Sequence, residues 1–534
     1  MSPRPPERSN SELSRKQMGL LAIAFAVAAA FRLAAASGPA MWRDEAQFIA
    51  VLQLGDVRTM FRFLANHESH PPLYYLLAKG WGVLFGYGDP ASVALSVIFG
   101  LLLVVVAYVA GRTLFSPGAG LLAALLVSTS STLIFASASA RPYGFLGVAA
   151  LVSTTLAWRF AESGTWRSAG EYLTSAAVLV YTHHWAWVIL AAHGLLGLWT
   201  SRERHGTAFL HRWLIAYAAL IVLYLPWLPI LVLQTRQAGH PPSLLPLSRI
   251  LYKCMFFLTG LPPDVGALCV LSLGALMVLD RTARDGGGQP MARRPSVFLI
   301  STVMMVTGLA VAALPVANLL VPHCFSVVTP VLLVGVAGLV HRDRSHHRLL
   351  AAGVATVMVV ASTIYSAGLW RFDRTNVDEV AGYVAREAQA GDLVLLMPIY
   401  LAPSFMRYYS GAAPVVAYPD ESVRDPTKFD HRLVRDTASA VRRRFSTTVD
   451  VAAQAHRRIW LVAEGRPDHV LLNERWGVAI EALEAAYDRT AVTSIGRDGG
   501  GFFETVYAFL YVPRANARVA RDATDGRPAV RPPD

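Results

Sequence analysis

Apolar runs of membrane-crossing length return again and again through the first two thirds of this chain, and nothing constrains its fold more. From Met18 to about residue 369, segments of about 17 to 25 mainly apolar residues recur, enough to cross a bilayer core of roughly 30 Å as helix. In hydrocarbon only helices and closed barrels satisfy every backbone polar group, and runs of this length read as helices. The composition agrees, with 54% of the 534 residues hydrophobic, 16% charged and a mean hydropathy of +0.41. That is too apolar for a soluble globular protein of this length.

The formal charge of +12 sits in short clusters between the apolar runs. No single aromatic-interleaved basic patch forms, so nucleic acid is not an expected partner. The clusters read as topology signals: Arg4, Arg8, Arg15 and Lys16, then Arg202, Arg204 and Arg212, then Arg281, Arg284, Arg293 and Arg294, then Arg342, Arg344 and Arg348. Placing each inside gives a self-consistent path of roughly eleven spans. On that path residues 1–17 are a flexible cytoplasmic leader and 18–370 a transmembrane domain with a long first outer loop, 38–90. The apolar stretch Leu73 to Phe85 must then lie in the outer interface, because counting it as a span inverts every later basic loop. Span one reads as a retained anchor, with Ala34-Ala35-Ala36-Ser37 a weak cleavage signal.

Past Arg371 the texture changes to that of an α/β domain, 371–513, on the outer side. Asp378 to Ala390 has helical apolar spacing, and Leu393 to Met397 reads as a buried strand after the Gly391-Asp392 turn. Arg458 to Ala463 and a helical stretch from Leu471 to Tyr487 repeat the unit, and Phe502 to Val512 is placed to close the sheet. The charged, proline-bearing tail 514–534 is expected to be disordered. Cys254, Cys269 and Cys324 lie in apolar surroundings without metal spacing and read as packing residues.

The chemistry-bearing residues gather at the outer ends of the spans. Asp44 and Glu45 follow the first run, where a carboxylate is solvated enough to ionise and close enough to hydrocarbon to be tuned as a general base. His70-Pro71-Pro72-Leu73-Tyr74-Tyr75 shares their loop, and His70 is a candidate for metal or phosphate binding, with Lys79 a further candidate cation. Arg141, in Ala140-Arg141-Pro142-Tyr143, could give charge-assisted donors to a leaving phosphate. His183 and His184, Arg236 and His323 occupy later outer turns. No GxGxxG, Walker loop or HExxH motif accompanies them in a suitable context, which leaves nucleotide-driven pumps and zincin proteases without support.

In this order the elements resemble the GT-C superfamily of polyprenyl-phosphate-sugar glycosyltransferases, in particular family 39 and the lipid A aminoarabinose transferases. The resemblance covers about residues 18 to 370. It rests on Asp44-Glu45, on His70 to Tyr75, on Ala140-Arg141-Pro142-Tyr143, and on Tyr224-Leu225-Pro226-Trp227-Leu228-Pro229. It implies a polytopic helical enzyme of the plasma membrane, with its active site and C-terminal domain extracytoplasmic. Asp44 would be the catalytic base or the carboxylate that positions the acceptor, with Glu45 supporting it. His70, Tyr74, Lys79, Arg141, Tyr143, His183, His184, Arg236 and His323 would bind substrate. The implied partners are a polyprenyl-phosphate sugar donor, a glycan, lipid or protein acceptor, and membrane lipids; a divalent metal is allowed for as cofactor. The chain lacks the acid many relatives carry in the second outer loop, and has His323 where they carry an arginine. Metal dependence and phosphate contacts are therefore left open. The competing class, a transporter, lipid flippase or non-catalytic assembly factor, would for transport place ionisable groups near the bilayer midplane in related halves.

Overall fold

The computed structural model describes residues 14–38, 40–68, 70–204, 206–237, 247–282, 295–312, 322–341, 348–368, 373–418, 423, 437–454, 458–465, 470–493 and 504–514. Residues 1–13, 283–294 and 515–534 are among those that lie outside them. The chain enters as α1 (Arg15–Ala36), capped by Ser14 and Gln17 in a reciprocal box. Three short helices follow, α2 (Arg43–Leu52), α3 (Val57–His67) and α4 (Leu73–Phe85). The bundle continues through α5 (Asp89–Leu114), α6 (Pro117–Thr129), α7 (Ser131–Ser137), α8 (Tyr143–Ser163), α9 (Trp166–Thr182) and α10 (Ala186–Arg204). It is completed by α11 (Gly206–Tyr224), α12 (Leu228–Gln237), α13 (Leu247–Thr259), α14 (Pro263–Thr282), α15 (Pro295–Ala312), α16 (Thr329–Val340) and α17 (Arg348–Ser366).

Among the described residues α1, α5, α8 and α17 are each long and apolar enough to cross a membrane. Three bent pairs reach that length together: α6 with α7 at 64°, α11 with α12 at 70°, and α13 with α14 at 70°. At 13 residues α4 spans about 20 Å, too short to cross, and Gly86 ends it at φ +86°. α16 is apolar all round and buried from Thr329 to Gly338, so it is the centre of the bundle. Exposed Leu20, Ile23 and Leu33 on α1, Ile98, Leu102 and Val109 on α5, and Val357, Val360 and Ile364 on α17 give the bundle an apolar outer face suited to lipid. α5 and α6 cross where Gly111 meets Gly120; a Cβ on Gly111 would stand 2.9 Å from the Gly120 Cα.

Each break in a span frees carbonyls that hydrocarbon cannot satisfy. At the end of α13, Gly260 takes a left-handed φ of +71°, and the freed carbonyls accept from hydroxyls of other helices. Ser131 Oγ donates to Gly260 O (2.5 Å), Thr132 Oγ1 to Phe256 O (3.1 Å) and Thr329 Oγ1 to Leu258 O (2.9 Å). At the end of α6, Ser366 Oγ donates to Thr129 O (2.9 Å), and the fully buried Arg32 donates to Val127 O (3.1 Å) and Ser128 O (3.3 Å). A cation there also faces the negative end of the α6 dipole. Sequence reading passed over Arg32, which sits one turn inside the end of α1. Arg32→Met is expected to lower the melting temperature of the detergent-purified protein, at a cost of about 1–3 kcal/mol per carbonyl left without a donor. An unchanged melting curve would assign these carbonyls to another donor.

Beyond the bundle, a five-stranded sheet runs in the order β2-β1-β3-β5-β4, with β1 (Leu393–Met397), β2 (Val415–Ala417), β3 (Ile459–Gly465), β4 (Tyr487–Thr493) and β5 (Thr505–Pro513). β1 pairs in parallel with β2 and β3, whereas β5 is antiparallel to β3 and β4. Its faces divide with period two. Leu395, Leu461 and Ile459 pack on helices Ala438–Gln454 and Val470–Ala486, whereas Val394, Leu396, Trp460 and Val462 join the apolar core shared with helix Val377–Glu387 and the bundle. The expected alternation of strand and helix is present, but β2 and the antiparallel β4–β5 hairpin were not anticipated. The domain docks on the first loop through Asp89, whose carboxylate accepts from Tyr408 Oη (2.7 Å) and pairs with Arg407; Tyr408 Oη in turn accepts from the Met41 N–H (2.7 Å).

Candidate active site

Asp44 and Glu45 open α2, where carboxylates complement the helix dipole. Consecutive residues on a helix point about 100° apart, and here one faces solvent and the other the interior. The Asp44 side chain is 37% exposed and its Oδ1 lies 3.3 Å from Arg43 Nε. Glu45 is fully buried. Its Oε1 accepts from Ser139 Oγ (2.8 Å) and the Ala140 N–H (2.7 Å), and it pairs with Arg374, which also donates to Ala138 O. Glu45 is thus committed to a three-way junction of α2, the 138–141 turn and the start of the α/β domain.

That turn presents Arg141, which is 6% exposed and donates to the Asp44 carbonyl (3.2 Å). Burial opposes its charge, but Tyr75, Tyr143, Asp44 and Glu68 around it hold the guanidinium above its ordinary range. His70 Nδ1 donates to Glu68 Oε2 (2.9 Å), and its ring meets that of His183 edge-on, centroids 4.9 Å apart. Tyr143 lies 6.2 Å from the His183 ring. Asp44, Glu68, His70, Tyr75, Arg141, Tyr143 and His183 therefore form one polar cluster at the ends of α2, α4, α8 and α9.

Other expected site residues do other work. Tyr74 is buried in the bundle with its hydroxyl 3.1 Å from Ser96 Oγ; its neighbour Tyr75 is the phenol beside Glu68 and Arg141. Lys79 Nζ donates to Leu52 O (2.8 Å) and Leu54 O (2.7 Å), closing the end of α2 away from the cluster. His184 Nε2 donates to Gln234 Oε1 (2.9 Å), with its Nδ1 3.2 Å from Tyr224 Oη, and burial pushes it down to about 4. It is neutral at pH 7 and staples the α9–α10 turn to the α11–α12 elbow. The side chains of Arg236 and His323 lie outside the described residues. Glu68 was missed by sequence reading; the signal available was an acid two residues before His70 in the same loop.

Two apolar-walled cavities flank the cluster. One of about 30 Å³ lies between Trp42, Phe135, Phe257, Arg141 and Tyr143, with the hydroxyls of Thr132, Ser139 and Ser326 in its wall. That volume holds a water or two. The other, about 370 Å³, lies beside the start of α4, between Phe61, Pro72, Leu76, Tyr181, Trp227 and Ile230. Among the described residues no group of three or more His, Cys, Asp or Glu is placed to hold a metal ion, so the allowed-for divalent metal finds no complete ligand set there.

No family model and no curated protein matches the chain by sequence. Among solved structures, ArnT from Cupriavidus metallidurans in the apo state superimposes with a TM-score of 0.54 at 13% identity, covering 92% of this chain and 98% of that one. The same protein bound to undecaprenyl phosphate gives 0.48 at 14% identity, covering 92% and 98%. Archaeal oligosaccharyltransferase AglB from Archaeoglobus fulgidus, in complex with an inhibitory peptide and a dolichol-phosphate, gives 0.49 at 10% identity, covering 93% and 74%. At such identities the apo ArnT likeness speaks for architecture, end to end. The chain is a polytopic helical membrane protein with a C-terminal α/β domain, built on the fold that it shares with ArnT.

Proposed function

We propose that this protein is a membrane glycosyltransferase that moves a sugar from a polyprenyl-phosphate donor to an acceptor hydroxyl at the outer face of the plasma membrane, with inversion. The observation that carries the reading is the placing of a partly exposed carboxylate, Asp44, beside a buried cation, Arg141, whose guanidinium donates to the Asp44 backbone carbonyl (3.2 Å), at the edge of a lipid-facing bundle. Asp44 takes the acceptor proton as the new bond forms to the anomeric carbon. The bond from that carbon to the phosphate oxygen breaks, and the phosphate leaves as an anion that Arg141 stabilises. His70, oriented by Glu68, and His183 contribute hydrogen bonds to the phosphate or the acceptor. The apolar cavity of about 370 Å³ beside the start of α4 suits a lipid chain. Confining donor and acceptor to one membrane face supplies part of the rate by approximation. The lipid phosphate with which ArnT has been solved has the chemistry this site is read to handle. The sugar and the acceptor class, whether glycan, lipid or protein, are for the assay to identify.

Purified protein in lipid, given a panel of polyprenyl-phosphate sugars and a crude acceptor extract, is expected to release polyprenyl phosphate from at least one donor. Arg141→Ala is expected to slow that release by about 10²- to 10³-fold, the scale on which a donor to a developing oxyanion counts. Absence of release by the wild type with every donor would overturn the reading and favour transport or scaffolding. Release at the wild-type rate by Arg141→Ala would move the phosphate site elsewhere.

A further inference from the structure

Asp44 has a neighbour that the reaction above does not use. The Arg43 guanidinium lies between two carboxylates, its Nε 3.3 Å from Asp44 Oδ1 and its Nη1 2.6 Å from Glu464 Oε2, and it sits over the Tyr400 ring with its carbon 4.7 Å from the centroid. The Arg43 N–H also donates to Glu504 Oε2 (3.3 Å). Glu464 is fully buried and Glu504 is 1% exposed. Both belong to the α/β domain: Glu464 pairs with Val506 across β3 and β5, and Glu504 stands just before β5. Three acids thus face one arginine across the junction of the two domains. The next cation, Arg374, gives its carbonyl to the Glu504 N–H (3.2 Å) and its guanidinium to Glu45.

We propose that Glu464 and Glu504 are positioning residues for Asp44, acting through Arg43, so that the α/β domain sets how much of the Arg43 charge the base feels. The proposal rests on the reading of Asp44 as base. Arg43 is shared between Asp44 and Glu464, so its charge is not spent on the base alone. Glu464 divides that charge. Burial, and then the charge of Glu464, push the Glu504 carboxyl up to about 8, and Oε1 finds no hydrogen-bond partner. The groups facing Glu504 are Arg43 from α2, Thr375 ahead of helix Val377–Glu387, Tyr400, and Glu464 from β3, with the Arg374 carbonyl on its N–H. Protonated, Glu504 is neutral; ionised, it is a second anion competing for Arg43.

The test is donor turnover by the full-length protein in lipid from pH 6 to 9. For the wild type, kcat should rise through about pH 8. Glu504→Gln keeps the shape of the protonated acid at every pH and should give a profile without that rise. Glu464→Gln should lower kcat about tenfold with the donor KM unchanged, and Glu464→Asp should recover part of the loss. Melting curves give a readout independent of activity. A carboxyl raised above its unfolded value contributes stability that is complete below about 4.5 and lost as pH rises through about 8. Glu504→Gln should therefore gain on the wild type in melting temperature between pH 5 and 8 and gain no more beyond. A wild type that turns over donor and a Glu504→Gln protein that keeps the alkaline rise overturn the proposal alone. A wild type that turns over no donor at any pH overturns the parent reading, and this proposal with it.

Discussion

Donor turnover is expected to fall by about 10²- to 10⁴-fold in Asp44→Asn, the range a general base supplies, with the melting temperature almost unchanged. Stability should hold because Asp44 is partly exposed and its ion pair with Arg43 is of the kind worth about 0–1 kcal/mol. Asparagine keeps the shape and can still serve the first turn of α2, so the lost carboxylate is the only substantial change. The loss should fall on kcat and kcat/KM together, since an interaction made only as the acceptor proton moves does not bind the ground state. Release of polyprenyl phosphate, read beside a thermal melt of the same preparation, separates chemistry from folding. Full turnover by the variant would assign the base to another carboxylate of the cluster, and Glu68, beside His70, would be the first to examine.

The membrane bundle was legible because hydrocarbon imposes one rule along the whole chain, that helices be long and apolar. Strands Leu393 to Met397 and Ile459 onward were legible for a similar reason, as short apolar runs buried on both faces. The site was legible as a set of outer-end residues and less so in its division of labour. Asp44 and Glu45 are identical to a reading by residue type, yet the turn of α2 sends one to solvent and the other to Arg374, 329 positions away. Tyr74 and Tyr75 divide in the same way. Nothing local announces such partners, because they depend on how distant elements pack. Arg32 shows the same gap: its value lies in a break between α6 and α7 whose position cannot be inferred from α1.

Loss of either partner in the Glu45–Arg374 pair is expected to be the most destabilising single change at the site, about 3–5 kcal/mol, because each leaves a buried charge unpaired. Glu45→Ala should cost more than Arg374→Ala in one respect: it also strips the acceptor from Ser139 Oγ and the Ala140 N–H. Glu45→Gln keeps that acceptor and should fall between wild type and alanine. The double alanine variant should cost less than the sum of the singles, since it leaves no unpaired charge, and the difference measures the coupling. Denaturant melts with limited proteolysis of the α/β domain would read the loss directly, as earlier cleavage at the junction. Turnover should fall as well, even with Asp44 intact, because the turn that Glu45 grips carries Arg141. Wild-type melting of either single variant would mean that the domain is held by Asp89 and Arg407 instead. The carboxylate next to Asp44 would then have no structural task, and a direct part in the chemistry would again be the simplest account of its position.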